Sequence, residues 1–253
     1  FIKEYDGKAA TIDNFIDSVF KFNKEINIDQ FKLWYKQNGT PHISFKRDWD
    51  KKNKILKIHI KQTNNIESNK FNKLPLLIPI RIALFTTNNK FQEYTHILKT
   101  KEDILEIKHI NVDLKKPIVT FFREFSAPVN WTTDNSYEED IFIVENEKDL
   151  FTIYDSMSRI YNKIIINRLN EKPLLKVENN LLVTIKNLIE RNKNINLSLL
   201  SEILYIPKYS DIEINVDIID PEKIYNLSEN LHYKFSSELE PLLYEKLRTI
   251  ENK

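Results

Sequence analysis

The sequence has five histidines, and histidine is the residue type that most often ligates metals or transfers protons near neutral pH. They are His42, His59, His96, His109 and His232, and each is isolated in the sequence. A hydrolytic zinc site usually needs two histidines one helical turn apart, a third ligand and a carboxylate base. That spacing is missing, and His42, His59 and His109 lie in strand-like segments. We therefore predict exposed or hydrogen-bonded histidines, with no catalytic, cofactor-binding or metal-ligating residue in this chain.

The best carboxylate candidates for acid–base chemistry are three consecutive acids, Glu138, Glu139 and Asp140. Ser136 and Glu139 have capping-box spacing, in which each side chain bonds to the other residue's backbone N–H. Acids in a first helical turn also interact favourably with the helix dipole, so we interpret this string as a helix start. Ser126 lies in a Phe-Ser-Ala-Pro string without the flanking glycines of a hydrolase nucleophile.

The composition excludes several classes of function. The sequence has no cysteine, which excludes disulfides and thiolate chemistry and is typical of a reducing compartment, so we expect the cytoplasm. Two glycines are too few for a phosphate-binding glycine loop. A formal net charge of +1 gives no overall attraction to nucleic acid or an anionic membrane. The apolar stretch 74–85 is interrupted by two prolines and an arginine and is shorter than the roughly 20 residues that span a bilayer.

Three regions with different hydrophobic periods make up the chain, which has 253 residues. We predict domain bounds at residues 1–38, 39–131 and 132–253. The predicted fold class is α+β multidomain, with an immunoglobulin-like antiparallel β-sandwich between short N-terminal helices and a C-terminal all-α helical array.

Two short helices are predicted in the first region. The apolar residues that recur there at three- and four-residue spacing are Phe15, Val19 and Phe22. The second helix is expected to start at Asn27 or Asp29 as N-cap and to stop at Gly39, because glycine tolerates the positive φ that follows a helix end.

In the second region the period changes to two, which predicts about seven half-buried strands. The side chains expected to point inward are Leu56, Ile58 and Ile60, and those expected to point outward are Lys57 and Lys61. Pro79 lies in another strand-like run and has no N–H to donate, so we expect an edge strand or a bulge there.

Helical periodicity returns after residue 134. Helices are predicted over 177–190 and 197–204, in addition to the one that Ser136 caps. The string Asp220-Pro221-Glu222 supplies an N-cap, a proline at the first helical position and a first-turn acid. Pro241 is expected to kink or restart that last helix.

Several strings resemble the aminopeptidase N family of zinc metallopeptidases, near the bacterial and apicomplexan alanyl aminopeptidases. YDGKAAT at 5–11 and FKLWYKQNGTP at 31–41 are similar to the end of its catalytic domain. KLPLLIPI at 73–80 and REFSAPV at 123–129 resemble its β-sandwich, and IIDP at 218–221 its helical domain. The strings are in family order and spread over almost the whole chain.

The resemblance implies a parent enzyme with a thermolysin-like zinc domain, a small β-sandwich and a C-terminal helical superhelix. The family's zinc ligands, catalytic glutamate and catalytic tyrosine would all lie before Phe1. The parent would use zinc to remove N-terminal amino acids from peptides, whereas this chain alone should be inactive and hold no cofactor. Its expected partners are the remaining domains of the same polypeptide, with peptides as the parent's substrate and no nucleic acid or membrane.

Two other functions fit the same pattern. One is a catalytically silent scaffold relative, and the other is a free-standing immunoglobulin-like binding module with a helical appendage. The chain starts Phe-Ile-Lys-Glu without an initiator methionine, so we expect it to be cut from a longer polypeptide. The upstream sequence would separate the three possibilities.

Overall fold

The computed structural model describes residues 1–22, 26–63, 73–86, 91–112, 116–172, 175–191, 197–212 and 220–251. The chain divides into two compact units, Phe1–Asp134 and Asn135–Lys253. The first unit contains short helices and a β-sandwich, and the second is helical.

Four short helices open the first unit. They are α1 (Ile2–Tyr5), α2 (Ile12–Phe20), α3 (Ile28–Phe31) and α4 (Leu33–Lys36). A capping box between Thr11 and Asn14 starts α2, and the Asn27 side chain caps α3, as predicted. The predicted second helix is broken into α3 and α4, and α1 was not predicted. Gly39 has a φ of +84°, so its lack of a Cβ is used here.

Seven strands lie within the described residues. They are β1 (His42–Asp50), β2 (Ile55–Thr63), β3 (Ile78–Phe85), β4 (Phe91–Leu98), β5 (Glu102–Ile107), β6 (Val119–Phe121) and β7 (Asn130–Thr132). One sheet has the order β5-β2-β1-β7 and the other β4-β3-β6. The described pairs are antiparallel except β1 with β7, which is parallel.

Alternation along β2 sets the register of the sandwich. Leu56, Ile58 and Ile60 are buried, whereas Lys57 and Lys61 are exposed, which confirms the predicted faces. Each lysine lies opposite an acid of β5, because Lys57 pairs with Glu106 and Lys61 with Glu102. A one-residue slip would expose every apolar side chain of this strand.

The expectation of an edge strand or a bulge at Pro79 is wrong. β3 lies between β4 and β6 and pairs with β4 without a break, so the strand as a whole is neither an edge nor bulged. However, β6 pairs only with residues 82–84 of β3. The Pro79 carbonyl instead accepts a hydrogen bond from the Ser126 hydroxyl. Pro79 is tolerated because, within the described part of the chain, β6 does not extend beside it on the side where its missing N–H would point.

Six helices lie within the described residues of the second unit. They are α5 (Tyr137–Asn146), α6 (Leu150–Leu169), α7 (Leu175–Arg191), α8 (Leu197–Ile203), α9 (Tyr209–Ile212) and α10 (Pro221–Glu251). Their shared core contains Ile160, Tyr161, Ile185 and Leu231. The predicted capping box at Ser136 is confirmed. Asp220 accepts a hydrogen bond from the Lys223 N–H at the start of α10, which continues through Pro241 without restarting.

An immunoglobulin-like sandwich followed by a helical array is therefore the observed fold class, as the hydrophobic periods predicted. No helix in the described residues combines the length and apolar character needed to cross a bilayer.

Candidate functional site

The five histidines lie apart from one another. His42 is half-buried in β1 beside the Thr132 hydroxyl at 3.1 Å, and burial lowers its pKa. His96 of β4 lies 3.0 Å from the Asp103 carboxylate of β5. His59 and His232 are exposed. His109 was expected in a strand but follows β5 in a left-handed conformation, with a φ of 58°. Among the described residues, no three histidines or acids are grouped to hold a metal ion.

The acids and the serine considered as candidates for catalysis all form hydrogen bonds within their own unit. Glu139 completes the capping box with Ser136. Asp140 is buried and accepts a 2.8 Å hydrogen bond from Arg159, an ion pair that sequence reasoning missed. The Ser126 hydroxyl donates to the Pro79 carbonyl and accepts from the Arg81 N–H. These groups support the backbone and the packing of their own unit.

One set of specific side-chain hydrogen bonds in the first unit surrounds residues 73–77, an extended segment that precedes β3. The carboxamide of Gln37, which follows α4, binds both polar backbone groups of one residue in this segment. Its Nε2 donates to the Leu74 carbonyl at 3.0 Å, and its Oε1 accepts from the Leu74 N–H at 2.8 Å. Gln37 thus takes the place of a neighbouring strand.

Gln62 of β2 repeats this arrangement two residues further along. Its Oε1 accepts from the Leu76 N–H at 3.0 Å, and its Nε2 donates to the carbonyls of Leu76 and Thr100 at 3.1 and 2.7 Å. Gln62 is buried, so these bonds satisfy polar groups that water does not reach.

Helices α3 and α4 contribute two more donors to the segment. Gln30 Nε2 donates to the carbonyls of Pro75 and Lys99 at 3.1 and 2.6 Å. Trp34 Nε1 donates to the Leu77 carbonyl at 2.9 Å. We call Gln30, Trp34, Gln37 and Gln62, with the segment 73–77 that they hold, the glutamine clamp. Because all four side chains are uncharged, we expect the clamp to be insensitive to pH and salt in the ordinary range.

Helix α2 contacts α3 on one side and leaves apolar side chains exposed on the other. Ile16 is only 1% exposed, the rings of Phe20 and Phe31 lie 4.7 Å apart, and Lys32 forms ion pairs with Asp13 and Asp17 of α2. These contacts join α2 to α3. The opposite face of the α2 region is open, since Ile12, Phe15 and Val19 are 44–49% exposed and Phe22 is 89% exposed.

The second unit contains a buried charged cluster. The Glu178 side chain of α7 has no solvent exposure and lies 2.7 Å from Arg168 of α6 and 3.0 Å from Lys234 of α10. Burial alone would raise the pKa of this carboxyl. The hydrogen bonds and charges of Arg168 and Lys234 outweigh that effect and hold the pKa below its ordinary value. We call these three residues the Glu178 cluster. Its ion pairs connect α6, α7 and α10.

Neither arrangement was predicted from the sequence. The clamp glutamines do not stand out in the hydrophobic pattern of the sequence, and their partners lie 14–69 residues away in the sequence. A signal for Glu178 was available, because it precedes buried Leu181, Leu182 and Ile185 at helical spacing. An acid on an apolar helical face must be paired to be buried.

Comparison with protein-family models gives two matches. A domain of unknown function, DUF3458, described as having an Ig-like fold, matches residues 39–134. DUF3458_C, described as ARM repeats, matches residues 137–253.

Curated relatives include aminopeptidase N from Haemophilus influenzae, 25% identical over 88% of this chain and 27% of the relative. Aminopeptidase N from Escherichia coli is also 25% identical, over 94% of this chain and 28% of the relative. The chain thus spans about a quarter of the length of these relatives.

Among solved structures, aminopeptidase A of Legionella pneumophila in complex with aspartic acid has a TM-score of 0.79 at 20% identity. The match covers 99% of this chain and 28% of that one. It shows that the fold is shared over nearly the whole length. The two DUF3458 matches together cover most of the chain, and with the relatives named aminopeptidase N they lead to one assignment: the chain belongs to the aminopeptidase N family and comprises its Ig-like and ARM-repeat region.

Proposed function

We propose that this chain is the non-catalytic, domain-coupling part of a zinc aminopeptidase that removes N-terminal amino acids from peptides. In this proposal residues 1–38 are the end of the zinc domain, residues 39–131 are the sandwich, and residues 132–253 begin the helical domain. Family membership and the aminopeptidase names of the relatives support the parent activity. The zinc would belong to the parent's catalytic domain, and the partners are the parent's other domains.

The glutamine clamp is the observation that carries the coupling role. Gln30, Trp34 and Gln37 all lie in the proposed end of the zinc domain, and all bind backbone of the segment that leads into β3. Side-chain bonds to a fixed backbone are directional, so they define both the position and the orientation of α3 and α4 on the sandwich. A segment held in this way transmits the position of one domain to the next.

A double variant of the parent chain, Gln30→Ala with Gln37→Ala, tests the coupling. We expect the parent to unfold in one calorimetric transition in which the zinc domain and the sandwich melt together. The variant should split this transition and lower kcat/KM on an alanyl chromogenic substrate. Gln92→Ala, at an exposed glutamine of β4 outside the clamp, is the matched control. An unchanged single transition in the double variant would contradict domain coupling by the clamp.

The isolated chain gives a second test. We expect it to bind no stoichiometric zinc and to release no amino acid from alanyl chromogenic substrates, because the family's zinc ligands would lie upstream of Phe1. Elemental analysis after dialysis measures the first expectation and a chromogenic assay the second. One tightly bound zinc per chain would contradict this assignment.

The cytoplasm is the proposed location, on the basis of a sequence without cysteine. Fractionation of cells that express the parent chain, followed by immunoblotting, measures this directly. Recovery in an extracytoplasmic fraction would contradict it.

A further inference from the structure

Strand β4 forms one edge of the three-stranded sheet. It pairs with β3 over eight consecutive residues, from Ile78 opposite Leu98 to Phe85 opposite Phe91. On its other side, no backbone group among the described residues bonds to it. The edge is therefore long and its register is unbroken.

Hydrogen bonds of β3 identify which β4 groups face outward. The N–H of Arg81 and the carbonyl of Pro79 bond to Ser126, and the Phe85 N–H donates to the Ile118 carbonyl. The odd-numbered residues of β3 thus point their backbone groups away from β4, and its even-numbered residues bond to β4. In an antiparallel pair, directly opposite residues exchange both bonds. The odd-numbered residues of β4 therefore present their N–H and C=O groups outward.

Natural sheets usually protect such an edge with lysine, proline, a bulge or a short strand. β4 has the sequence FQEYTHIL, with neither lysine nor proline. Its one acid, Glu93, forms ion pairs with Arg81 and Arg123 of the same unit. The other edges differ, because β5 carries Glu102, Asp103 and Glu106, and β6 and β7 have three residues each. Only β4 among the described edges is both long and unprotected.

We propose that β4 is a self-association edge that pairs antiparallel with β4 of a second copy of this chain, with Thr95 opposite Thr95. Outward groups repeat every second residue, roughly 6.8 Å apart, which is the spacing of another extended strand. Pairing about Thr95 places Glu93 opposite Ile97 of the second copy and Tyr94 opposite His96. No like charges then face each other, and threonine pairs are favourable across strands. The result is a continuous six-stranded sheet shared by two copies.

Two substitutions at the centre of this pairing test the proposal by sedimentation equilibrium over a concentration series. Thr95→Pro removes an outward N–H and leaves the β3 ladder intact, since the Thr95 N–H faces away from β3. Thr95→Lys keeps the N–H but sets two cations face to face. We expect the native chain to reach twice its 30.3 kDa mass. Each variant should raise the dimer dissociation constant by at least about tenfold.

Ile104→Pro is the matched control on the other long edge. Since the Gln62 N–H donates to the Lys101 carbonyl, the even-numbered residues of β5 face outward, and Ile104 is 54% exposed. This variant should dimerise like the native chain. Thermal unfolding checks that each variant is folded. If Thr95→Pro does not fold, Thr95→Lys, which changes an exposed side chain, decides alone whether β4 forms the contact.

Two results would overturn the proposal. One is a native chain that stays monomeric across the series. The other is a dimer that survives Thr95→Lys but dissociates on Phe15→Ser with Phe22→Ser, which would place the contact on the open face of the α2 region instead.

Discussion

The glutamine clamp joins elements of the first unit, and the Glu178 cluster joins elements of the second. Both use side-chain hydrogen bonds, but the clamp side chains are neutral and the cluster side chains are charged. The clamp uses uncharged side chains that bind backbone groups of a segment outside regular secondary structure. The cluster uses a buried carboxylate between two cations on regular helices. Helix backbones satisfy themselves internally, so only side chains are free to connect them. An extended segment leaves its backbone free, and uncharged amides are sufficient to hold it.

This difference has an energetic consequence. Removing one partner of a buried ion pair leaves an uncompensated charge, whereas removing one amide leaves an unsatisfied neutral group. The two arrangements should therefore respond differently to mutation and to pH.

The largest effect is expected for Glu178→Ala in the second unit. Loss of the carboxylate leaves Arg168 and Lys234 without their shared partner, and we expect about 3–5 kcal/mol of destabilisation. Far-UV circular dichroism during denaturation measures this helical unit. Tryptophan fluorescence serves as an internal control, because Trp34, Trp49 and Trp131 all lie in the first unit. A loss below 1 kcal/mol would mean that the cluster contributes no more than a surface ion pair, for which about 0–1 kcal/mol is usual.

Ile58→Ala should come next and act on the other unit. Ile58 is fully buried in the sandwich, so its truncation should cost about 2–5 kcal/mol. Here the tryptophan signal should shift and the helical signal should not. A loss within experimental error would show that the inward face of β2 is assigned wrongly.

Gln37→Ala should have a smaller effect on the first unit, about 1–3 kcal/mol, because both backbone groups of Leu74 lose their partner but Leu74 lies near solvent. Since no charge is involved, the loss should be the same at pH 5 and pH 8. Gln92→Ala is the control and should be near neutral. A strong pH dependence in Gln37→Ala would remove the distinction between the two arrangements.

The difference in stability between the native chain and Glu178→Gln should depend on pH. The folded pKa of Glu178 lies below its ordinary value of 4.5. Its ion pairs are therefore fully present above that value and are lost as pH falls through the folded pKa. We expect the advantage of the native chain to be greatest near neutral pH and to shrink in acid, as measured by urea denaturation of the helical signal. An advantage that grows in acid would contradict the assigned direction.

Local exchange within residues 1–38 is the finest test. Hydrogen exchange should be fast over residues 11–22, because the Phe15, Val19 and Phe22 side is open, and slow over 55–61 and 76–84 in the sandwich. The same expectation extends to residues 23 and 24, which lie outside the described residues. Slow exchange of residues 11–22 in a monomeric sample would show that α2 needs no further partner.

Features that depend on residues close together in the sequence were predicted, and features that depend on residues far apart in the sequence were not. The β2 faces, the Ser136 capping box and the Asp220 cap depend on neighbours within a few residues, and all were predicted. Pro79 was misjudged because its environment is set by Ser126, which is 47 residues away. The clamp was missed for the same reason, since Gln37 meets Leu74 only after the sandwich has formed.

The family strings in the sequence pointed to the right family, but they did not show what their residues do. FKLWYKQNGTP contains Trp34 and Gln37, and KLPLLIPI contains the backbone that they hold. Two segments noted only as similar to a family are therefore the two halves of one contact. Periodicity could not pair them, because neither half lies in a regular strand or helix of useful length.

Gln37 and Gln62 each bind the N–H and the carbonyl of a single residue, which requires a donor and an acceptor side by side on one planar group. Asparagine is the only other side chain with that group, and it is one carbon shorter. A single nucleotide change in a glutamine codon gives glutamate, lysine, histidine, arginine, leucine, proline or a stop, and none of these carries an amide. Neither position thus has a one-step mutational neighbour that keeps both bonds, so the clamp should change during evolution only by coordinated replacement of the glutamine and the segment that it holds.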